Sequence, residues 1–237
     1  LHPRVRRQRQ MCIRDRRSIL LFPLLTNSET GGVIASPEID EERTQCGRYA
    51  YCWPRDAVFI TKAMDILNMD KETEKFYKIF CKKTQSKNGM WEQRFYTDCK
   101  LAPAWGYQVD ETASVIYGVY EHYLVTKNEK FLKDTLPMCE KAISFLKHYV
   151  KDWLDLDAEE ILNKDKVKEE MEEQLRKNGK ERKIHVSYDL WEMCEGIHLY
   201  SVATIYSAFA TILKIYKVLG KNAVSYTHLR AHETSLH

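Results

Sequence analysis

An all-helical fold is what this sequence predicts, and three observations carry the prediction. Apolar residues recur three and four positions apart along several stretches, the spacing that lines one face of a helix. Sustained period-two alternation, which a half-buried strand needs, is missing. The connections between the periodic stretches alternate in character: short polar turns follow some, and long loops dense in Trp, Tyr, Pro, Gly and charge follow others.

Taken in order, the periodicity predicts helices over 57–68, 71–85, 111–127, 137–153, 158–177 and 198–219. Residues 129–135 add a turn before Pro137, which suits a first helical position because its missing N–H is not needed there. Asn68-Met69-Asp70 and Lys127-Asn128-Glu129 are short enough to join consecutive helices as antiparallel hairpins. The long loops, 31–56, 86–110 and 179–196, each lead into an apolar helix, so successive hairpins would bring them to one rim. Loops this long in a compact domain are functional or disordered, and their aromatic content argues against disorder. The stretch 158–183 differs, with alternating charge around a thin stripe of Ile161, Val167, Met171 and Leu175. Its pattern is that of a solvated helix held by Glu/Lys pairs.

The chain has 237 residues, 44% of them hydrophobic and 30% charged, enough for one sizeable core. Its net charge of +3 conceals an asymmetry, because residues 1–17 hold seven Arg and one Asp and the remainder is net negative. A basic stripe of the kind that binds nucleic acid is therefore not expected on the folded surface. Purely apolar runs such as 19–22 are far shorter than the roughly 20 residues that cross a bilayer, so no membrane partner is expected. The end stretches RQRQMCIRDR and VSYTHLRAHET resemble translated sequencing-adaptor sequence. Residues 1–17 and 224–237 are accordingly read as non-native arms, and 18–223 as a single domain.

Seven Cys at 12, 46, 52, 81, 99, 139 and 194 form no CxxC pair and no compact Cys/His cluster. No metal or other cofactor is expected from them. Scattered thiols in a domain of this size favour a reducing compartment, so a cytoplasmic location is the expectation.

Chemistry-bearing side chains concentrate in 49–56, in 91–96 running on to 105–112, and in 188–192. These hold Trp53, Trp91, Trp105 and Trp191, and only Trp153 lies elsewhere. Indole rings beside Arg, Asp and Glu suit a ligand with apolar C–H faces and a rim of hydroxyls, which describes a sugar. The same rings could equally plug the end of a helical bundle. Glu192 has two readings. Asp189 and Glu192 have the spacing of a capping box. Yet Gly196 follows closely, a poor residue inside a newly started helix, and Trp191 offers an apolar wall that would keep the carboxyl protonated as a general acid requires. Asp56 suits a helix cap, whereas Arg55 at the same helix start opposes the dipole and needs an acidic partner elsewhere. Asp110 and Glu111 present the same choice between cap and function at the next long loop.

Gly32 to Pro37 (GVIASP), YCWPRDA at 51–57, QVDETAS at 108–114 and YDLWE at 188–192 resemble, in order and spacing, the catalytic domain of glycoside hydrolase family 15. That family includes glucoamylases, glucodextranases and some bacterial trehalases. The resemblance implies an (α/α)6 barrel, of which this chain would supply about the first half. It also implies inverting hydrolysis of α-linked glucosides, with an α-glucan or oligosaccharide as substrate and glucose released from non-reducing ends. By the same resemblance Glu192 matches the general acid. Trp53, Arg55 and Asp56 match the positions that hold the terminal glucose, Tyr49 an aromatic lining that subsite, and Trp91 and Asp110 further members of it; Trp191 is placed in the subsite beside Glu192. The catalytic base comes from late in such a barrel and is not among these residues, so the chain alone is expected to be inactive. Two rival readings are a phosphorolytic α/α-barrel enzyme, with phosphate in place of base and water, and a non-catalytic helical module whose loops bind a protein. A half ring also predicts exposed apolar helix faces.

Overall fold

The structure is a computed structural model that describes residues 3–39, 48–104, 106–154 and 187–221. The charged helix expected over 158–177, and Trp105, lie outside them. Helix α1 spans Pro3–Leu25, α2 Pro54–Ile66, α3 Asp70–Lys75, α4 Lys82–Thr84, α5 Val109–Thr126 and α6 Glu129–Leu154. A two-stranded antiparallel ribbon, β1 Ser187–Tyr188 and β2 Glu195–Gly196, precedes α7, Leu199–Val218. The fold is helical, as the periodicity predicts.

Helix α5 is the centre, packed by α2, α6 and α7. Every residue from Val109 to Ile116 is buried, so its N-terminal half is enclosed on all sides and needs a neighbour on each. Gly118 lets two of those neighbours close in: a Cβ there would run into the Tyr77 hydroxyl and lie 2.8 Å from a Val58 methyl. The core built around it includes Phe76, Phe80, Trp91, Ile116, Phe131, Leu132, Leu146 and Ile212. The two short turns form as expected. Lys127 (φ 55°) ends α5 in the left-handed conformation with its N–H on the Tyr123 carbonyl, and Asn68 (φ 60°) turns the chain from α2 to α3.

Two local expectations are corrected. The helix expected over 71–85 is not uniform: between α3 and α4 it widens to a π-helical turn over Phe76–Cys81, which buries Phe76, Tyr77, Phe80 and Cys81 together. Pro137 does not start a helix but lies inside α6. The true start is Asn128, whose side-chain oxygen accepts the N–H of Phe131 as a cap does. Proline removes one helical hydrogen bond; nearby, the Thr135 hydroxyl donates to the Phe131 carbonyl and the Gln85 amide donates to the Met138 carbonyl. Residues 3–17, within the stretch read as a non-native arm, form most of α1. The described side chains of α1 from Met11 to Leu21 are exposed, and contact with the core begins at Phe22 and Leu25.

Helix α7 corrects the membrane argument in part. It is 20 residues long with a mean hydropathy of 1.3, long and apolar enough by composition to cross a bilayer. It packs against α5 and α6, burying Ser201, Ile205, Ala208, Ile212 and Ile215 on one face as a core helix does. Its other face leaves Leu199, Val202 and Tyr206 exposed.

Candidate functional site

The three aromatic loops are tied to one another before any side chain reaches a pocket. Cys52 and Phe95 exchange both backbone hydrogen bonds, at 2.8 and 2.9 Å, joining the first loop to the second. A file of amides joins the second to the third: Gln93 donates to Gln108, and Gln108 donates to the Asp189 carbonyl at 2.7 Å. The Ser187 hydroxyl accepts the N–H of Val109, fastening the ribbon to the start of α5. Gly106 completes the seam, since a Cβ there would collide with the ring of Tyr188.

Against this frame the N-termini of α2 and α5 meet. Trp53, in extended conformation, is the N-cap residue of α2, Pro54 follows it, and Arg55 and Asp56 occupy the first turn. Asp56 is therefore not the cap that its residue type suggests. The acidic partners that Arg55 requires come from α5. Its backbone N–H donates to Glu111 Oε2 at 2.7 Å and its Nη1 donates to Asp110 Oδ2 at 2.8 Å, while Nη2 lies 3.3 Å from Asp56 Oδ2. Glu111 Oε1 is 3.0 Å from the same Nη1, close enough for charge attraction but off the N–H direction. Asp110 and Glu111 side chains are wholly buried, whereas that of Asp56 is 43% exposed.

Three carboxylates thus share one guanidinium. Burial pushes the Glu111 carboxyl well above the usual carboxylate range, with Arg55 pulling it down and Asp110 adding to the rise. Asp110 rises for the same reason, opposed by its hydrogen bond and ion pair to Arg55. Arg55 goes up despite burial, because Glu111, Asp110 and Asp56 hold its charge. Tyr200, from α7, is raised by burial and by the Asp110 carboxylate, so it too faces this cluster.

Glu192 reaches the first loop from the third. Its Oε1 accepts the indole N–H of Trp53 at 3.2 Å, two residues from Arg55. The capping box open to Asp189 and Glu192 does not form, because α7 begins only at Leu199. Asp189 instead gathers the N–H groups of Trp191, Met193 and Cys194. Although desolvation opposes them, those donors hold its carboxyl below the usual range. The tight loop so formed puts Glu192 at φ 60°, a left-handed conformation that costs a non-glycine residue about 1–2 kcal/mol.

The aromatic residues divide. Trp53 is 5% exposed, with Tyr49 and Tyr51 beside its ring at 6.4 and 5.9 Å and the Arg94 guanidinium over it at 5.4 Å. Tyr49 is 45% exposed and presents a free edge beside Trp53. Trp91 is wholly buried, its indole N–H on the Cys81 carbonyl, so it is packing beneath the loops and offers no stacking face. Trp191 is 79% exposed, and the indole against the Glu192 carboxyl is that of Trp53, not that of its neighbour. Asp110 faces Arg55 from inside and has no exposed surface. For Glu111 the sequence left open the choice between cap and function, and its grip on Arg55 depends on the meeting of two helix ends.

Among the described residues no group of three His, Cys, Asp or Glu side chains is arranged to hold a metal ion. Cys52, Cys81 and Cys139 are buried free thiols, Cys99 is half-buried and Cys194 is exposed.

A helical chain whose aromatic loops bring a carboxyl, an indole and a multiply paired arginine to one rim has the layout of a carbohydrate-processing enzyme. The family model for glycosyl hydrolases family 15 matches residues 17–232, and the chain belongs to that family. An uncharacterized glycosyl hydrolase of Methanocaldococcus jannaschii, MJ1610, is 27% identical over 147 residues, which are 62% of this chain and 22% of that protein. Among solved structures, a wild-type glycosidase superposes with a TM-score of 0.63 at 14% identity, over 92% of this chain and 53% of its own. A variant described as a glycosidase in complex with glucose gives the same values. The glucoamylase of Saccharomycopsis fibuligera gives 0.60 at 17% identity, over 89% of this chain and 42% of its own. The chain thus spans about half, or less, of the length of these relatives, and the architecture it shares with them is part of a six-hairpin toroid.

Proposed function

We propose that the complete protein is an inverting, exo-acting α-glucoside hydrolase that releases glucose from the non-reducing ends of α-glucans, with Glu192 as its general acid. The observation that carries the reading is the Trp53 to Glu192 hydrogen bond, which ties an acid of the third loop to the first loop, two residues before Arg55 in sequence. Asp56 and the outward nitrogen of Arg55 take hydroxyls of the terminal glucose, and Tyr49 covers one of its C–H faces. Family membership favours hydrolysis over the phosphorolytic and non-catalytic alternatives. The glucose complex of a structural neighbour accords with this choice of sugar.

In the mechanism proposed, the Glu192 carboxyl donates its proton to the glycosidic oxygen as the C–O bond breaks. Water, activated by a second carboxylate roughly 6.5–9.5 Å away, attacks the opposite face of the sugar. We assign that base to the length of the relatives that this chain does not span. The test is Glu192→Gln in the full-length protein with maltose as substrate. Turnover should fall by about 10²–10⁴-fold, the contribution of a positioned acid, while maltose binding persists. Proton NMR of the first product should show β-glucose. Retained turnover would remove Glu192 from its role, and glucose phosphate formed only with added phosphate would favour the phosphorolytic reading.

A further inference from the structure

The geometry points to Asp110 and Glu111 as a pair of positioning residues that set Arg55 from behind, so that the outward face of the sugar grip is decided by two side chains with no exposure of their own. This rests on the reading of Arg55 as part of that grip.

The contacts divide the arginine in two. Glu111 Oε2 takes the backbone N–H, which fixes the first turn of α2. Asp110 Oδ2 and Glu111 Oε1 both crowd Nη1, at 2.8 and 3.0 Å. Every inward-facing donor of Arg55 so described is engaged by α5. What remains is Nη2, whose described partner, Asp56, is partly exposed and stands next to it in sequence. A planar guanidinium held at its backbone and at one terminal nitrogen has its other nitrogen aimed by default. The arrangement is over-determined for a plain ion pair. One carboxylate would neutralise Arg55, yet two are buried completely against it, with Asp56 as a third. Burying the second acid is costly unless it does something one charge cannot. Among the described residues, the titratable groups that interact with the pair include Arg55 and Asp56 from α2, Cys52 before it, Tyr107 before α5 and Tyr200 from α7. Arg55 is the only cation among them, which accounts for Glu111 being pushed well up.

Sequence makes the same division. Asp110-Glu111 lies within the QVDETAS stretch and Arg55-Asp56 ends the WPRD stretch, so the pairing is between two motifs some 55 residues apart, one supplying the grip and the other its support.

The test uses the whole chain labelled with 15N-arginine, compared with Asp110→Asn and Glu111→Gln. Both changes keep size: Asp110→Asn weakens the ion pair on Nη1, and Glu111→Gln turns one of the two Glu111 oxygens into an amide donor facing the arginine. In the parent chain the Arg55 Nη hydrogens should be resolved and slow to exchange with water. Each variant should speed that exchange about tenfold or average the signals, with other arginines unaffected and the melting temperature at pH 6 within a few degrees. Fast exchange at Arg55 in the parent chain would overturn the proposal by itself, and so would unchanged Arg55 signals in either folded variant. A parallel maltose titration by tryptophan fluorescence separates this claim from the functional one. If maltose fails to bind the full-length parent protein while the Arg55 response appears, the positioning stands and the sugar reading falls. If maltose binds, both variants should weaken it about tenfold, and equal affinity would overturn the positioning role.

Discussion

Two carboxyl-bearing regions meet at the site and they are built on opposite principles. At the junction of α2 and α5 the acids are wholly buried, paired with Arg55 and fixed by the first turns of two core helices. In the loop from Ser187 to Gly196, Glu192 is partly exposed, its backbone is left-handed, and its carboxyl is held by a single described side-chain bond from Trp53. The difference teaches that the region assigned to gripping is made rigid by charge and burial. The region assigned to proton transfer is a short strained loop stitched by Asp189.

The largest expected effect comes from breaking the first region. Arg55→Met leaves Asp110 and Glu111 buried without their cation, and should cost about 3–5 kcal/mol, the usual penalty for removing one partner of a buried charge pair. Chemical denaturation checks this, and a loss under 1 kcal/mol would mean that the cluster is wetter than its geometry indicates.

A smaller effect sharpens the same contrast through pH. The Glu111 carboxyl is raised in the folded chain above its ordinary value of 4.5. Between that value and the raised one the folded state binds more protons than the unfolded state, so stability falls as pH rises through the window. Glu111→Gln has no proton to lose there and should flatten the decline. Melting temperatures at pH 5, 7 and 9 should converge with the parent at the acid end and exceed it at the alkaline end. Parallel slopes would place the titration elsewhere.

The smallest effect belongs to the loop. Glu192→Gly should stabilise the chain by up to about 1 kcal/mol by relieving the left-handed strain, offset in part by the freedom glycine gains when unfolded. In the full-length protein it should abolish turnover. Stabilisation coupled to inactivity would identify the strain as a cost carried for function, whereas destabilisation would show that the Trp53 bond outweighs it.

Much of this protein was decided by local sequence. The helical period around Ile116, Val119 and Ile212, the short turns at Asn68 and Lys127, and the tetrad Trp53-Pro54-Arg55-Asp56 were legible because each depends on neighbours three or four positions away. The separation of roles among similar residues was not. Trp53, Trp91 and Trp191 look alike as loop indoles, yet one bonds Glu192, one is core and one is exposed. Asp110 and Asp56 both read as helix-start acids, and only the crossing of α2 with α5 sent one inward and left the other at the surface. Pro137 inside α6 belongs to the same class, since its place within the helix follows from a start set by the cap at Asn128. Periodicity and turn chemistry are short-range properties and can be read along a chain. Burial, charge pairing and strain depend on which distant segments arrive beside a residue, and that was settled only when the loops were stitched together around α5.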